Sequence, residues 1–503
     1  MSGPRLGELL EKTEVISGLD EATAKLVVSG LQYDNRQIAA GEVFWAFSGA
    51  VIDGRKFAKA AVERGAIAVV SELEPLEAVT VPWIRVAHGR QSLALAAGAF
   101  YGHPDEQIAI TGVTGTNGKT TTTWILDSIL RASGRTTALV GTVGYHVAGE
   151  QRTAVNTTPE SLDLFRILAE LRGKDGTNAT MEVSSHALAL GRVHGVHFHT
   201  AVFTNLTRDH LDFHLSMEKY FAAKRMLFDG PPAPQFAVIN ADDEYGKQLQ
   251  AKSVGEVIRY GIRGGDFRAE AIDSSFHGLR FDVRFGDEKH SVESPLVGEI
   301  NVYNLLGAMG AARTLNVGWE AILEGIRHSS GVPGRFERVE AGQPFLVVVD
   351  YAHTDDALRN TIRVARKLLA SSGKKRRVLT LFGCGGDRDR AKRPLMGMAA
   401  GEFSDFVALT SDNPRSEDPL AIMNDALVGL RRFDTTHIVE PDRAKAITKI
   451  LSEAEPGDIV ILAGKGHETY QVLKDETIPF DDREVARKAL IGFGYGSGKK
   501  GAG

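Results

Sequence analysis

Thr111-Gly112-Val113-Thr114-Gly115-Thr116-Asn117-Gly118-Lys119-Thr120 decides how this chain is read. The apolar run Ile108-Ala109-Ile110 precedes it. A helical stripe of Ile125, Leu126, Ile129 and Leu130 follows, closed by Gly134. A strand, a glycine-rich turn and a helix opening on Lys-Thr make a cradle for phosphate. Glycines let backbone N–H groups approach the oxygens, and the helix start adds partial positive charge. Lys119 adds a full charge, and the Thr120 hydroxyl suits Mg2+. A nucleoside triphosphate is the expected ligand. The common G-x-x-x-x-G-K spacing would need glycine at 113, where valine stands. A glycine-rich turn with a chance Lys-Thr is the bland alternative, and the order of strand, turn and helix argues against it.

Composition sets the frame. With 503 residues, 43% hydrophobic and 24% charged, this is an ordinary soluble globular chain of roughly three domains. A net charge of −5 argues against a nucleic-acid partner. The single cysteine, Cys384, rules out an internal disulfide framework and suits a reducing compartment, so a cytoplasmic location is expected. Met1 to Glu14 lacks an apolar signal core, and no apolar run approaches the roughly 20 residues of a membrane span. A monomer is the expected state.

The pattern divides the chain into four parts. Residues 1–103 read as a small α/β unit, with strands at Ala66 to Val70 and Trp83 to Val86 and a helix from Ser92 to Tyr101. Residues 104–334 form a central unit that opens with the phosphate turn, with strands at Ala179 to Val183, Thr200 to Phe203 and Phe236 to Ile239. Gly331-Val332-Pro333-Gly334 reads as a hinge. Residues 335–493 alternate strand and helix, and 494–503 form a glycine- and lysine-rich tail expected to be disordered. In the third part the apolar runs are Phe345 to Val349, Val378 to Phe382, Phe406 to Leu409 and Ile459 to Ala463. Each ends in a polar loop: Asp350 to His353, Gly383 to Arg388, Thr410 to Arg415, and Gly464 to Glu468. That pattern predicts a doubly wound parallel sheet with its ligands beyond the strand ends.

Three clusters carry candidate chemistry. In Met181-Glu182-Val183-Ser184-Ser185-His186, Glu182 at a strand end beside a phosphate turn is a natural Mg2+ ligand, or else a surface glutamate. After Asn205 to His214 comes a helix from about Ser216 whose apolar stripe holds Met217, Tyr220, Phe221, Leu227 and Phe228. Lys224 points along that stripe. It reads equally as a lysine snorkelling to water or as a functional amine. A neutral amine can take up CO2 as a carbamate able to bind metal. His194, His197 and His199 also cluster, with the spacing of an ordinary turn and strand more than of a zinc site.

Together these motifs resemble the Mur ligase family, ATP-dependent amide-bond formers of peptidoglycan precursor synthesis. The likeness rests on T-G-T-N-G-K-T at 114–120, E-x-S-S-H at 182–186 and N-L-x-x-D-H-L-D-x-H at 205–214. It runs from about Asp34 to Glu484. Within the family, Asn156 to Pro159, Gly41 to Gly54 and Ala463 to Glu468 look like the branch that adds the third residue of the stem peptide. That branch acts on UDP-N-acetylmuramoyl-L-alanyl-D-glutamate.

The resemblance implies a fold of three units: a UDP-binding α/β domain, a central P-loop ATPase domain and a Rossmann-like C-terminal domain. It implies an acyl-phosphate route, with ATP as co-substrate, Mg2+ as cofactor and Lys224 carbamylated. Thr120 and Glu182 would hold one metal ion; His210 and carbamylated Lys224 would hold a second, with Glu182 close by. Lys119 would stabilise the transferred phosphoryl group. Gly115, Thr116, Asn117, Gly118, Lys119, Thr120 and Thr121 would cradle ATP, Asn301 and Asn304 would approach adenine, and Arg335 and Asp350 would meet phosphates and ribose, with His353 nearby. Asp34, Asn35 and Arg36 would lie at the uridine. Asn156, Thr157, Thr158, Ser184 and Arg192 would contact the rest of the UDP-substrate. Arg388, Asp412, Asn413, Arg415, Gly464 and Glu468 would bind meso-2,6-diaminopimelate, Arg415 through its distal carboxylate. Two positions depart from the family. Asn35 stands where serine is usual, and Asp355 stands where D-Y-A-H-x-P has proline, a change expected to alter a loop. Other readings are an L-lysine-adding or D-alanyl-D-alanine-adding relative, a folylpolyglutamate synthetase, and a nucleotide switch or binding module of another class.

Overall fold

A computed structural model describes residues 3–47, 52–251, 255–275, 278–329, 331–370 and 376–496. The strand of the phosphate motif, Ala109–Thr114, lies inside an 11-stranded sheet. Asn178–Glu182 and Phe198–Phe203 flank it in parallel. Thr137–Val140 continues one side, and Phe236–Asn240 and Glu256–Gly261 continue the other, all parallel. The interior matches the expected parallel sheet, but the edges do not. Tyr145–Val147 and Glu150–Arg152 form an antiparallel edge on one side. Phe267–Ser275, Gly278–Phe285 and Glu288–Ser294 form an antiparallel meander on the other. The meander buries only alternate residues, and Arg268, Glu270 and Arg284 pair on its open face. A sheet wetted on one face can be antiparallel, whereas the interior strands are buried on both.

The phosphate turn is fixed by close approach. Gly118 has φ +86, and a Cβ there would lie 2.3 Å from Asn304 Oδ1; one at Gly115 would lie 1.8 Å from Thr204 Oγ1. The helix Lys119–Ala132 then buries Ile125, Leu126, Ile129 and Leu130 and packs on Glu299–Thr314 and Trp319–Arg327.

The N-terminal sheet runs Val15–Ser17, Trp83–Val86, Ala68–Ser71, Glu42–Trp45, Gly30–Gln32. Within the run Gly41 to Gly54, residues 48–51 lie outside the described residues. The helix Gly89–Phe100 packs on Ser161–Gly173 of the central unit, and Leu93, Ala96 and Ala97 share one core with Leu162 and Phe165.

The third sheet runs Glu337–Arg338, Leu346–Asp350, Ile459–Ala463, Val378–Phe382, Phe406–Thr410, Thr436–Glu440. Only its first strand is antiparallel. Its central strands are wholly buried, and their polar loops all open on one edge, as parallel strands require. Asp355 alters no loop: it is the first residue of the helix Asp355–Ala370. Proline suits that position by its fixed φ and aspartate by its charge at the positive end of the helix. The Gly331 to Gly334 segment packs against the third unit, where Tyr351 N–H donates to Gly334 O at 2.8 Å. Of the expected tail, 497–503 lie outside the described residues, while Tyr495 packs edge-on against Phe345. Among the described residues no helix is long and apolar enough to cross a membrane.

Candidate active site

The turn, the strand ends and the Lys224 helix converge. Thr120 Oγ1 donates to Glu182 Oε2 at 3.0 Å, and Thr142 N–H donates to Glu182 Oε1 at 2.8 Å. Glu182 is 1% exposed, which removes the surface-glutamate reading. A buried carboxylate and a hydroxyl are the hard oxygen donors that Mg2+ takes, so these two residues fit that ion. Arg335 Nη2 reaches Thr120 Oγ1 at 3.3 Å from the third unit's side.

Lys224 does not snorkel. It is 1% exposed, its Nζ donates to Gly115 O at 2.8 Å, and it lies 4.7 Å from the Tyr220 ring centre. Lys119 Nζ donates to the same carbonyl at 2.8 Å and to Thr116 O at 2.8 Å. Desolvation pushes Lys224 well below the usual lysine value, and the neighbouring Lys119 pushes it further. Desolvation also lowers Lys119. A lysine held toward its neutral form has the lone pair that CO2 addition needs, so Lys224 fits the carbamate. His210 stands beside it with positive φ, its Nε2 3.3 Å from Asp209 Oδ2, and its ring packs edge-on against His186.

Three adjoining cavities gather most of the expected residues. One of about 280 Å3 is bordered by Asn117, Thr121, Asn301, Asn304, Arg335 and Asp350. In it Asn304 Nδ2 donates to Asn301 Oδ1 at 2.9 Å, and Asp350 is held by the N–H groups of Phe336 and Ala352. A second, of about 160 Å3, holds Lys119, Thr120, Glu182, His210, Lys224 and Arg335. A third, of about 500 Å3, brings Asn156, Thr157, Thr158, Ser184 and Arg192 opposite Arg388, Asp412, Asn413, Arg415, Gly464 and Glu468. Asn117, Gly118 and Arg335 border both the first and second; Thr157, Ser184, His210 and His353 border both the second and third. Arg415 is not a solvated surface arginine: Nη1 donates to Gly386 O at 2.7 Å in the cavity wall.

Some expected residues stand elsewhere. Asp34, Asn35 and Arg36 border none of these cavities. Asp34 caps the short turn Asn35–Gln37 and pairs with Arg36, whose side chain is 80% exposed. Neighbouring Tyr33 reaches across to Asp163 at 2.5 Å and stacks on Phe47, over which Arg90 lies. His194, His197 and His199 do not converge. His197 Nδ1 meets Asp105 Oδ2 at 2.8 Å and His199 Nδ1 meets Thr200 Oγ1 at 2.9 Å. Among the described residues, no group of three or more His, Cys, Asp or Glu is gathered for a metal ion.

Sequence reasoning missed Thr142, which positions Glu182, and Asp356, whose Oδ2 accepts from Asn117 Nδ2 and Thr207 Oγ1, each at 3.1 Å. The second of these ties the third unit to the phosphate turn. Thr142 followed the strand Thr137–Val140, a signal that was available.

Fold and site together define a three-unit α/β nucleotide-binding protein whose clustered polar cavities are lined by more than one unit. The chain matches the Mur ligase family catalytic domain over residues 27–101, the Mur ligase middle domain over 113–312 and the Mur ligase glutamate ligase domain over 334–466. It is 60% identical over 493 residues to a UDP-N-acetylmuramoyl-L-alanyl-D-glutamate--2,6-diaminopimelate ligase of Solibacter usitatus, covering 97% of this chain and 99% of that one. To the ligase of the same name from Geobacillus thermodenitrificans it is 45% identical, over 92% of this chain and 95% of that one. A solved structure of a ligase of that name superposes with TM-score 0.69 at 32% identity, covering 98% of this chain and all of that one. The chain belongs to the Mur ligase family.

Proposed function

We propose that this chain is an ATP-dependent ligase joining meso-2,6-diaminopimelate to the D-glutamate of UDP-N-acetylmuramoyl-L-alanyl-D-glutamate, in the cytoplasm and as a monomer. The observation that carries this reading is the continuity of the three cavities, from Asn301 and Asn304, past Lys119 and Glu182, to Arg415 and Glu468. A nucleotide, a phosphorylated carboxylate and an amine can meet along that path without leaving the protein. The relatives' shared name supports the substrate pair.

The chemistry needs a carboxylate made electrophilic. The glutamyl carboxylate oxygen attacks the γ-phosphorus, the bond to the bridging oxygen breaks, and ADP leaves. The amine of the third substrate attacks the acyl carbon and loses a proton, and phosphate departs. Lys119 and Arg335 bring positive charge to the transferring phosphoryl group. Gly115 to Thr121 orient the nucleotide. Thr157, Thr158, Ser184 and Arg192 hold the acyl substrate, and Asp34 to Arg36 belong at its uridine end. Asp412, Asn413 and Glu468 take the distal ammonium of the amino acid, while Arg388 and Arg415 take carboxylate. Thr120 and Glu182 would hold one Mg2+, and His210 with a carbamate on Lys224 would hold a second; bound there, the ions would supply charge neutralisation at the phosphate oxygens. The units at 1–103, 104–334 and 335–493 divide the task into UDP-substrate, ATP and amino acid.

L-Lysine lacks the carboxylate that Arg415 would meet, and a nucleotide switch leaves the third unit's loops without a task. The test is a ligation assay in which ATP turnover is followed with UDP-muramoyl-dipeptide plus either meso-diaminopimelate or L-lysine. Turnover should require both acceptor and diaminopimelate. Equal use of lysine, or turnover without the dipeptide, would refute the reading.

A further inference from the structure

Lys465 stands between two glycines in the loop after Ile459–Ala463, and its side chain is 0% exposed. It does not border the amino-acid cavity; it lies behind the wall. Its Nζ donates to Asn413 Oδ1 at 3.0 Å and to Tyr470 O at 2.7 Å, and lies 3.3 Å from Glu468 Oε2 and 3.5 Å from Asp412 Oδ1. Val472 N–H donates to the same Asn413 oxygen at 2.9 Å, so that oxygen is fully engaged and Asn413 Nδ2 is turned to Glu468 Oε2 at 2.9 Å. Three of the groups that Lys465 approaches thus belong to the amino-acid cavity.

Beneath this layer is a second one. Arg443 and Asp482 pair at 2.6 Å with both side chains 0% exposed. Arg443 also donates to Ser411 O at 3.3 Å and Ala463 O at 3.0 Å, the carbonyls just before Asp412 and Gly464. Arg443 is matched by its own carboxylate. Among the described residues, Lys465 is the fully buried cation within 4 Å of both Asp412 and Glu468, so two carboxylates surround one ammonium there.

We propose that Lys465 is the positioning residue for the incoming amino acid: from behind the wall it orients the Asn413 amide and lets the carboxylates of Asp412 and Glu468 face the cavity side by side, presenting both to the substrate's distal ammonium. This rests on the ligase reading above. The groups around Glu468 are Asp412, Lys465, Arg443, Tyr351 and Tyr470, with the Asn413 amide, and Arg388, Lys392 and Arg415 border the same cavity. Burial and Asp412 hold the Glu468 carboxyl above its usual value, against the lowering effect of Lys465 and Asn413; without Lys465 it would rise further.

The test is steady-state ligation by wild type, Lys465→Met and Lys465→Gln, varying each substrate in turn between about pH 6 and about pH 8.5. Glutamine keeps a donor without the charge, and serves if methionine prevents folding. In both variants the apparent KM for meso-diaminopimelate should rise about 30-fold or more, with those for ATP and the UDP-substrate within about 3-fold of wild type. That KM should fall more steeply with rising pH in the variants than in wild type. A KM for diaminopimelate that is unchanged, an equal rise in all three, or a pH profile no steeper than that of wild type would overturn the proposal. So would failure of both variants to fold, which would make Lys465 structural only. A wild-type protein that does not ligate diaminopimelate would instead overturn the ligase reading, and this inference with it.

Discussion

Lys224 and Lys465 are both buried to within 1% exposure, yet they are opposites. Lys224 has a peptide carbonyl and a tyrosine face, with no carboxylate within ion-pair distance in the described structure. Lys465 has an amide oxygen, a carbonyl and two carboxylates. Burial alone therefore does not say what a lysine is for. An uncompensated ammonium is driven toward the neutral amine and becomes reactive. A compensated one organises what surrounds it.

The largest effect should come from Lys224→Ala. If a carbamate at this position holds metal, ligation should fall on the order of 10³-fold, several kcal/mol of transition-state stabilisation. Acetate should partly restore it by occupying the carbamate's place, and should do nothing for Lys465→Ala. Rescue of both, or unmodified Lys224 in fully active enzyme by intact mass, would break the contrast.

Stability should split the pair next. Lys465→Met leaves two buried carboxylates without their cation and should cost about 3–5 kcal/mol. Lys224→Met removes a desolvated charge and should gain at least about 1 kcal/mol. The sign follows from linkage. A base with a depressed folded pKa binds fewer protons folded than unfolded, so its penalty is full at low pH and fades as pH rises toward the unfolded lysine value near 10.4. Urea unfolding without nucleotide or divalent cation, repeated at two pH values, checks both. A loss in Lys224→Met would mean that its contacts outweigh its desolvation.

Arg415→Ala sharpens the comparison on the third unit's side. A charge-assisted bidentate grip on the distal carboxylate is on the order of 2–4 kcal/mol, so preference for diaminopimelate over lysine should fall about 30- to 1000-fold with the KM for ATP nearly unchanged. An unchanged preference would place selectivity elsewhere. The smallest effect expected is that of Asp355→Pro, at the first turn of its helix, within about 0.5 kcal/mol by thermal unfolding.

What the sequence disclosed follows the same physics. Strands buried on both faces, such as Val378–Phe382 and Ile459–Ala463, are continuous apolar runs and were found to the residue. The meander strands Phe267–Ser275 and Gly278–Phe285 mix charged and apolar residues and passed unread. Glu182 and Lys224 were legible because a carboxylate at a strand end and a lysine on an apolar stripe are out of place locally. Lys465 was not. Flanked by glycines in a polar loop, it looks like a solvated residue, and its partners lie up to 53 positions away, as at Asp412. Asp356 was missed for the same reason: its partners Asn117 and Thr207 come from distant stretches of chain.

The amino-acid cavity is divided unevenly between units, and this bears on how such a chain could be altered by recombination. Arg388, Asp412, Asn413, Arg415, Glu468 and their hidden support Lys465 and Arg443 all belong to the third sheet's loops and adjoining helix, over largely separate buried cores. The opposite face of the cavity, assigned above to the acyl substrate, is lined by residues between 156 and 212. Exchanging the segment after Gly334 with that of a relative would therefore transfer the whole proposed amine-binding set as one cassette, with Lys465 and its carboxylates together. Exchanging single loops would separate Asp412 and Asn413 from Lys465, and leave carboxylates from one parent facing a cation from the other.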